Sequence, residues 1–391
     1  MTWEVLTGDA AEHLYQQQSE SFDGILCDPP YGLAFMGKAW DHGVPGVATW
    51  RLAFNALKPG ANVLAFGGTR TYHRLACAIE DAGFEVRDCL SWLYGSGFPK
   101  SKALREVGPE WAGYGTALKP AWEPCLLAMK PLRGTFAENA LAFGVAGLNV
   151  DGGRIESATG DREDYGLDAG AKAGIGYHGL DGRTPYRRPT LGRWPANLLL
   201  DEAAALALDQ QSGTSKSTGG QRSLGAFRGG AIYGKGRDER ESGDPGYGDT
   251  GGASRFFYVA KASRREREAG LEGFEAREVQ TGCGGDMPTD DDGRDRDRFK
   301  KSAANVHPTV KPLALCEYLA RLILPPKRDT PRRLLVPFSG SGSEMIGALL
   351  AGWDEVVGIE REAEYVAIAE ARLRHWHPWV DKKADKEQST A

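Results

Sequence analysis

One stretch, F-D-G-I-L-C-D-P-P-Y at 22–31, constrains the fold more than any other. Ile25, Leu26 and Cys27 form an apolar strand that runs straight into Asp28, Pro29, Pro30 and Tyr31. Proline lacks a backbone N–H and fixes φ, so two in succession stop the strand and stiffen the residues after it. Asp28 is then held at the C-terminal edge of the strand, with Tyr31 just beyond. In open α/β sheets that edge is where ligands bind. Read alone, the stretch fits equally well an ordinary strand-to-loop turn with a capping aspartate.

The rest of the chain supplies the sheet. Residues 1–135 alternate strand-like runs (Phe22–Cys27, Ala61–Phe66, Phe84–Leu93, Cys125–Met129) with helical ones (Trp50–Leu57, Tyr72–Ala82), the pattern of a sheet flanked by helices. Residues 300–375 do the same, with helices over Pro312–Leu324, Ser343–Ala351 and Tyr365–Trp376 and strands over Arg333–Val336 and Glu355–Glu360. The middle, about 140–300, is glycine-rich and of mixed charge. Its best-ordered pieces are expected at Arg193–Leu208 and Arg255–Lys261, with mobile stretches near 211–253 and 282–304. Four parts are therefore expected: 1–135, 136–300, 301–378 and a solvated tail, 379–391.

Bulk properties exclude several classes. No run of about 18 apolar residues exists, and M-T-W-E-V-L lacks a basic segment followed by an apolar one, so a membrane protein or an exported one is not expected. The 6 cysteines include no C-x-x-C pair, which argues against a zinc cluster or a disulfide framework and fits a reducing cytoplasm. A net charge of −5 does not advertise a nucleic-acid binder, yet a basic groove can sit on an acidic body because screening limits Coulomb reach to about 8–10 Å.

A second site begins at Arg332, in R-R-L-L-V-P-F-S-G-S-G-S-E-M-I-G. A strand ends at Val336, Gly340 and Gly342 carry a turn, and a helix starts near Ser343. Glycines let a ligand approach the backbone, and the helix start offers free N–H groups. About 20 residues on, V-V-G-I-E ends in Glu360, placed to meet ribose hydroxyls. The third glycine of G-x-G-x-x-G is missing, and no G-K-[ST] follows, so neither a dinucleotide nor a phosphate loop is indicated. A nucleoside without a pyrophosphate fits, such as S-adenosylmethionine.

Together, D-P-P-Y, the long middle, H-P-T-V-K-P at 307–312 and P-F-S-G-S-G resemble, in this order, the β class of amino-group DNA methyltransferases. L-Y-G-S-G-F-P-K-S (93–101), A-L-K-P-A-W-E-P (117–124), G-R-W-P-A-N (192–197) and S-R-F-F-Y (254–258) look like a phage- or prophage-type branch. The resemblance covers about 1–135 and 254–375. Two positions depart from it: Val336 stands where the family usually has an acid, and Glu344 where it often has threonine.

The resemblance implies an α/β, doubly wound S-adenosylmethionine-dependent methyltransferase fold with circularly permuted motif order and an inserted, irregular target-recognition region. It implies methyl transfer to adenine N6 in double-stranded DNA after base flipping, with cytosine N4 as the alternative. Asp28 and the Pro29 carbonyl would accept hydrogen bonds from the target amine, with Pro30 stiffening the loop. Tyr31 would stack on the flipped base, opposite Trp92 or Phe98, although Trp92 also reads as core. The cofactor would be held by Asp9, Asp28, Thr309, Lys311, Phe338, Ser339, Gly340, Ser341, Gly342 and Glu360. Without the resemblance Asp9 reads as a turn or cap, Lys311 as a surface lysine, and His307 has no acid or nucleophile motif beside it. Arg183, Arg187, Arg188 and Arg193 are the expected DNA contacts. No metal is implied; a homodimer and a cognate restriction endonuclease are partners that some family members have. RNA or protein-amide methylation, and a catalytically dead DNA-binding relative, are the competing readings.

Overall fold

The computed structural model describes residues 1–33, 41–95, 97, 101–156, 192–216, 249–261, 263–280 and 300–390. The N-terminal part contains β1 (Thr2–Thr7), α1 (Ala10–Gln16), β2 (Phe22–Cys27), α2 (Val47–Ala56), β3 (Leu57–Phe66), α3 (Tyr72–Asp81), β4 (Glu85–Leu93), β5 (Trp122–Met129) and α4 (Phe136–Phe143). The middle adds β6 (Leu198–Asp201), α5 (Glu202–Ser212), β7 (Ser215–Lys216), β8 (Thr250–Gly251), β9 (Tyr258–Ala260), α6 (Arg264–Glu268), β10 (Arg277–Gln280) and β11 (Lys300–Ala303). The last part contains α7 (Leu313–Leu322), β12 (Arg333–Pro337), α8 (Ser343–Ala351), β13 (Glu355–Glu360) and α9 (Ala363–Thr390).

Nine strands form one sheet in the order β1-β13-β12-β2-β3-β5-β4-β6-β9, so both chain ends build it, as expected. The apolar run of β2 is buried throughout, as a central parallel strand covered on both faces should be. Its side chains alternate. Leu26 packs with Leu64 of β3 and Leu334 of β12 under α7 and α8, while Ile25 and Cys27 pack with Val63 and Leu335 under α1, α2 and α3. Helices on both faces make the sheet doubly wound. β12 and β2 are parallel neighbours, but the chain leaves β12 toward β13 on one side and β2 toward β3 on the other. Their outgoing loops diverge and open a crevice at the C-terminal edge.

The seam between the halves is reinforced by Asp23, whose carboxylate is sealed from solvent. It accepts from Lys58 Nζ at 2.7 Å, from Arg328 at 2.6 Å and from the Arg333 backbone N–H at 2.8 Å.

The middle region, expected as an insertion, adds two strands to the main sheet: β6 pairs in parallel with β4, and β9 with β6. Asp201, at the end of β6, accepts from the Gly95 N–H at 3.0 Å and so braces the chain leaving β4. The expected tail after Trp379 instead continues α9 to Thr390, with Pro378 inside the helix. The stretches expected to be mobile fall largely outside the described residues; at the described ends of the first, β7 pairs with β8, and at the described end of the second, β11 pairs with β10 just before it. Among the described residues, cysteines 27, 77, 89, 125 and 316 are all free thiols, and no helix is long and apolar enough to cross a membrane.

Removing one partner of a buried ion cluster costs about 3–5 kcal/mol because the others stay buried and uncompensated. Asp23→Ala should therefore lower the guanidinium midpoint with an unchanged denaturant slope; a midpoint equal to that of the wild-type chain would show that the seam holds without the carboxylate.

Candidate active site at the C-terminal edge of the sheet

The crevice encloses about 1730 Å³. Asp28, Pro29, Pro30 and Tyr31 line it from β2. Asp9, Thr309, Lys311, Phe338, Ser339, Gly340, Ser341 and Glu360 line it from elsewhere. Residues as distant in sequence as Asp28 and Lys311 are thus neighbours. Gly342 is the N-cap of α8, just behind this wall.

The loop after β2 is held from several directions. The Thr71 hydroxyl donates to the Tyr31 carbonyl at 2.6 Å, and the buried Asp41 accepts from the Gly32 and Leu33 N–H groups at 2.8 and 3.2 Å. Pro29 and Pro30 add their own stiffness, so Asp28 is carried on a segment with few degrees of freedom.

Asp28 sits in a four-membered polar cluster. Its Oδ1 accepts from the Tyr31 hydroxyl at 2.7 Å, and its Oδ2 accepts from Lys311 Nζ at 2.6 Å. Glu123, at the start of β5, brings Oε2 to 3.1 Å from the Tyr31 hydroxyl and 3.2 Å from Lys311 Nζ. Lys311 also lies over the rings of Phe66 and Tyr31. Burial opposes the ammonium, yet the Asp28 and Glu123 charges outweigh it and hold Lys311 above its ordinary range. Burial, with Asp28 and Glu123 nearby, pushes the Tyr31 phenol up, so it remains a donor. Glu344, in the first turn of α8, is buried and raised by desolvation and by the Asp28 charge.

The glycine turn forms the opposite wall. Gly340 (φ 52°) and Gly342 (φ 81°) take left-handed backbone, and Phe338 does so at φ 63° despite its side chain. A Cβ on Gly340 would lie 2.8 Å from His307 Nε2. Glu360 accepts from the Gly340 N–H at 2.8 Å and from the Glu362 N–H at 2.9 Å, while burial raises its carboxyl. Val336 is fully buried in the core beneath the turn, where an acid would face apolar neighbours.

Other expected residues have local duties. Asp9 caps α1, accepting from the Ala11 N–H at 2.8 Å, and still lines the cleft. The Thr309 carbonyl accepts from His307 Nδ1 at 2.7 Å, which leaves Nε2 bare toward Gly340. Trp92 packs against the core. Arg193, expected as a DNA contact, is buried, ion-paired with Asp249 and laid over Phe256, so its guanidinium is engaged inside the protein. Arg183, Arg187, Arg188 and Phe98 lie outside the described residues.

Sequence reasoning missed Glu123. Its signal is an acid directly before Pro124 at the head of the apolar run C-L-L-A-M. Only the antiparallel placement of β5 between β3 and β4 brings that strand's start, not its end, to the cleft.

No family model matches the chain. Over 108 residues it is 31% identical to the Type II methyltransferase M.HindIII of Haemophilus influenzae, a local homology covering 25% of this chain and 35% of that protein. The match thus spans about a third of that relative's length. Among solved structures, it is similar to TTHA0409 of Thermus thermophilus (TM-score 0.40, 14% identity, 96% of each chain). It is similar also to the M1.HpyAVI–SAM complex (0.39, 15%, 95% of this chain and 99% of that one). The cytosine-N4-specific PvuII DNA methyltransferase gives 0.44 at 13% identity, covering 95% of this chain and 86% of that one.

Burial lowers the His307 imidazole to about 4. The unfolded chain therefore takes up a proton near pH 6.5 that the folded chain refuses until about pH 4, and stability is lost as pH falls through that window. His307→Gln should lose less thermal stability than the wild-type chain between those pH values; parallel losses would contradict a histidine held neutral in the fold.

Proposed function

We propose that this chain is a site-specific DNA methyltransferase that transfers methyl from S-adenosylmethionine to an exocyclic base amine, with adenine N6 as the target. The observation that carries the reading is the meeting of the D-P-P-Y loop, the glycine turn and Glu360 in one crevice at the strand ends. The local identity to M.HindIII supports the same class.

The residues present fit a nucleoside with a charged amino-acid end. The left-handed glycines admit a ligand close to the backbone, and Glu360 stands at the end of the next strand for ribose hydroxyls. Thr309 and Lys311 lie on the wall expected to meet the amino-acid end. S-adenosylmethionine, when bound, supplies the electrophilic methyl.

An exocyclic amine is a poor nucleophile because its lone pair is delocalised into the ring. Asp28 and the Pro29 carbonyl are two acceptors that can take its N–H groups and turn the lone pair toward the methyl. Their effect is orientation and preorganised electrostatics. The target must leave the duplex to reach Asp28, so base flipping precedes transfer. Tyr31, its hydroxyl tied to Asp28, offers a ring of defined orientation in the cleft. The aspartate at the first motif position favours adenine over cytosine, an inference that rests on the family resemblance.

Purified chain, unmethylated DNA and S-adenosylmethionine, with nucleosides identified by mass after digestion, test this reading. N6-methyladenine is expected with the wild-type chain, and a loss of about 100-fold or more with Asp28→Ala, the scale of removing a preorganised catalytic group. N4-methylcytosine would overturn the base assignment alone. Cofactor binding without any methylated DNA base would turn attention to RNA or protein, and no cofactor binding would end the enzyme reading.

A further inference from the structure

Both oxygens of Asp28 already accept a hydrogen bond before any base arrives. One oxygen holds the Tyr31 hydroxyl, and the other holds an ammonium at 2.6 Å. A target amine must share the carboxylate with both, and Lys311 is the harder rival because its full positive charge adds Coulomb attraction to the hydrogen bond. Methyl transfer sharpens the problem. As the methyl would move from the sulfonium sulfur to the amine, the sulfur would leave as a neutral thioether. Positive charge would appear on the nitrogen beside Asp28 until that nitrogen gave up a proton to water, close to a cation that Asp28 alone would have to neutralise as well.

Glu123 resolves both difficulties. Its Oε2 reaches the same two donors, Lys311 Nζ at 3.2 Å and the Tyr31 hydroxyl at 3.1 Å. It is anchored where it can do so: Glu123 pairs with Trp92 in the β4–β5 ladder, and Pro124 follows it. Lys311 is 6% exposed at its side chain, so water offers the ammonium little when Asp28 turns away.

We infer that Glu123 is a positioning residue of the methyl transfer: it takes over Lys311 and Tyr31 and so releases Asp28 to the target amine. The inference rests on the methyltransferase reading above. Glu123 acts through Lys311 and Tyr31: its charge balances the ammonium, leaving the Asp28 charge to face the developing cation. A carboxylate is required for this, since a neutral amide of the same shape accepts hydrogen bonds but cannot balance the ammonium.

Two variants separate this role from packing. Glu123→Gln keeps the shape and loses the charge, whereas Glu123→Asp keeps the charge and shortens the reach. Single-turnover transfer of tritiated methyl to unmethylated plasmid DNA of mixed sequence is measured for the full chain, alongside affinities for DNA and S-adenosylmethionine. Glu123→Gln should slow transfer by about 10–100-fold with both affinities within about twofold, and Glu123→Asp should be faster than Glu123→Gln. If Glu123→Gln transfers at the wild-type rate, or loses only binding, or if Glu123→Asp is the slower of the two, the inference fails while the function stands. If the wild-type chain transfers methyl to no DNA, the function falls and the inference with it.

Discussion

The cleft exists because β2 and β12 lie side by side, and that contact is thin. Only Leu334 with Gly24 and Leu335 with Ile25 are in register between them. So short a ladder cannot hold two distant segments by backbone hydrogen bonds alone, since each contributes about 1 kcal/mol net. The surrounding core and the ion cluster at Asp23 do the rest. Lys58 comes from β3, Arg328 from the loop before β12 and the Arg333 N–H from β12 itself, so one carboxylate gathers three stretches of chain. It sits at the start of the strand whose other end carries Asp28. Rigidity at one end of β2 is what places the loop at the other.

The cleft itself follows a different electrostatic rule. At Asp23 two cations surround one carboxylate, whereas around Lys311 two carboxylates surround one cation. The first arrangement is structural and closed. The second leaves an excess of negative charge beside an opening, with Glu344 buried nearby and its own ionisation disfavoured by that excess. Such a pocket suits a ligand or transition state that is positive, and a sulfonium passing its methyl to an amine is positive throughout.

Much of this was legible in the sequence because it is written locally. The D-P-P-Y loop follows from an apolar run stopped by two prolines, and the glycine turn from Gly340 and Gly342 ahead of a helix. Glu360 follows from its place at the end of a strand about 20 residues on. What stayed hidden depends on topology. Glu123 joins the cluster only because β5 runs against its neighbours, a direction that no local pattern records. Arg193 reads as a basic, aromatic-flanked surface residue, but Asp249, more than 50 residues away, draws it inside. The tail sequence is rich in charge and has a proline at position 378, and neither feature announces a helix.

The seam also sets the order of events during synthesis. Asp23 and the Arg333 N–H are 310 residues apart, so the central strand leaves the ribosome long before its partner on one side exists. Until then the edge of β2 that will face β12 is an unpaired, largely apolar strand edge, the kind that invites foreign pairing. Closing it is a late, long-range step of high contact order, slow by its topology. While the stretch between the two strands is being made, β2 therefore stays uncovered on the side that β12 will occupy.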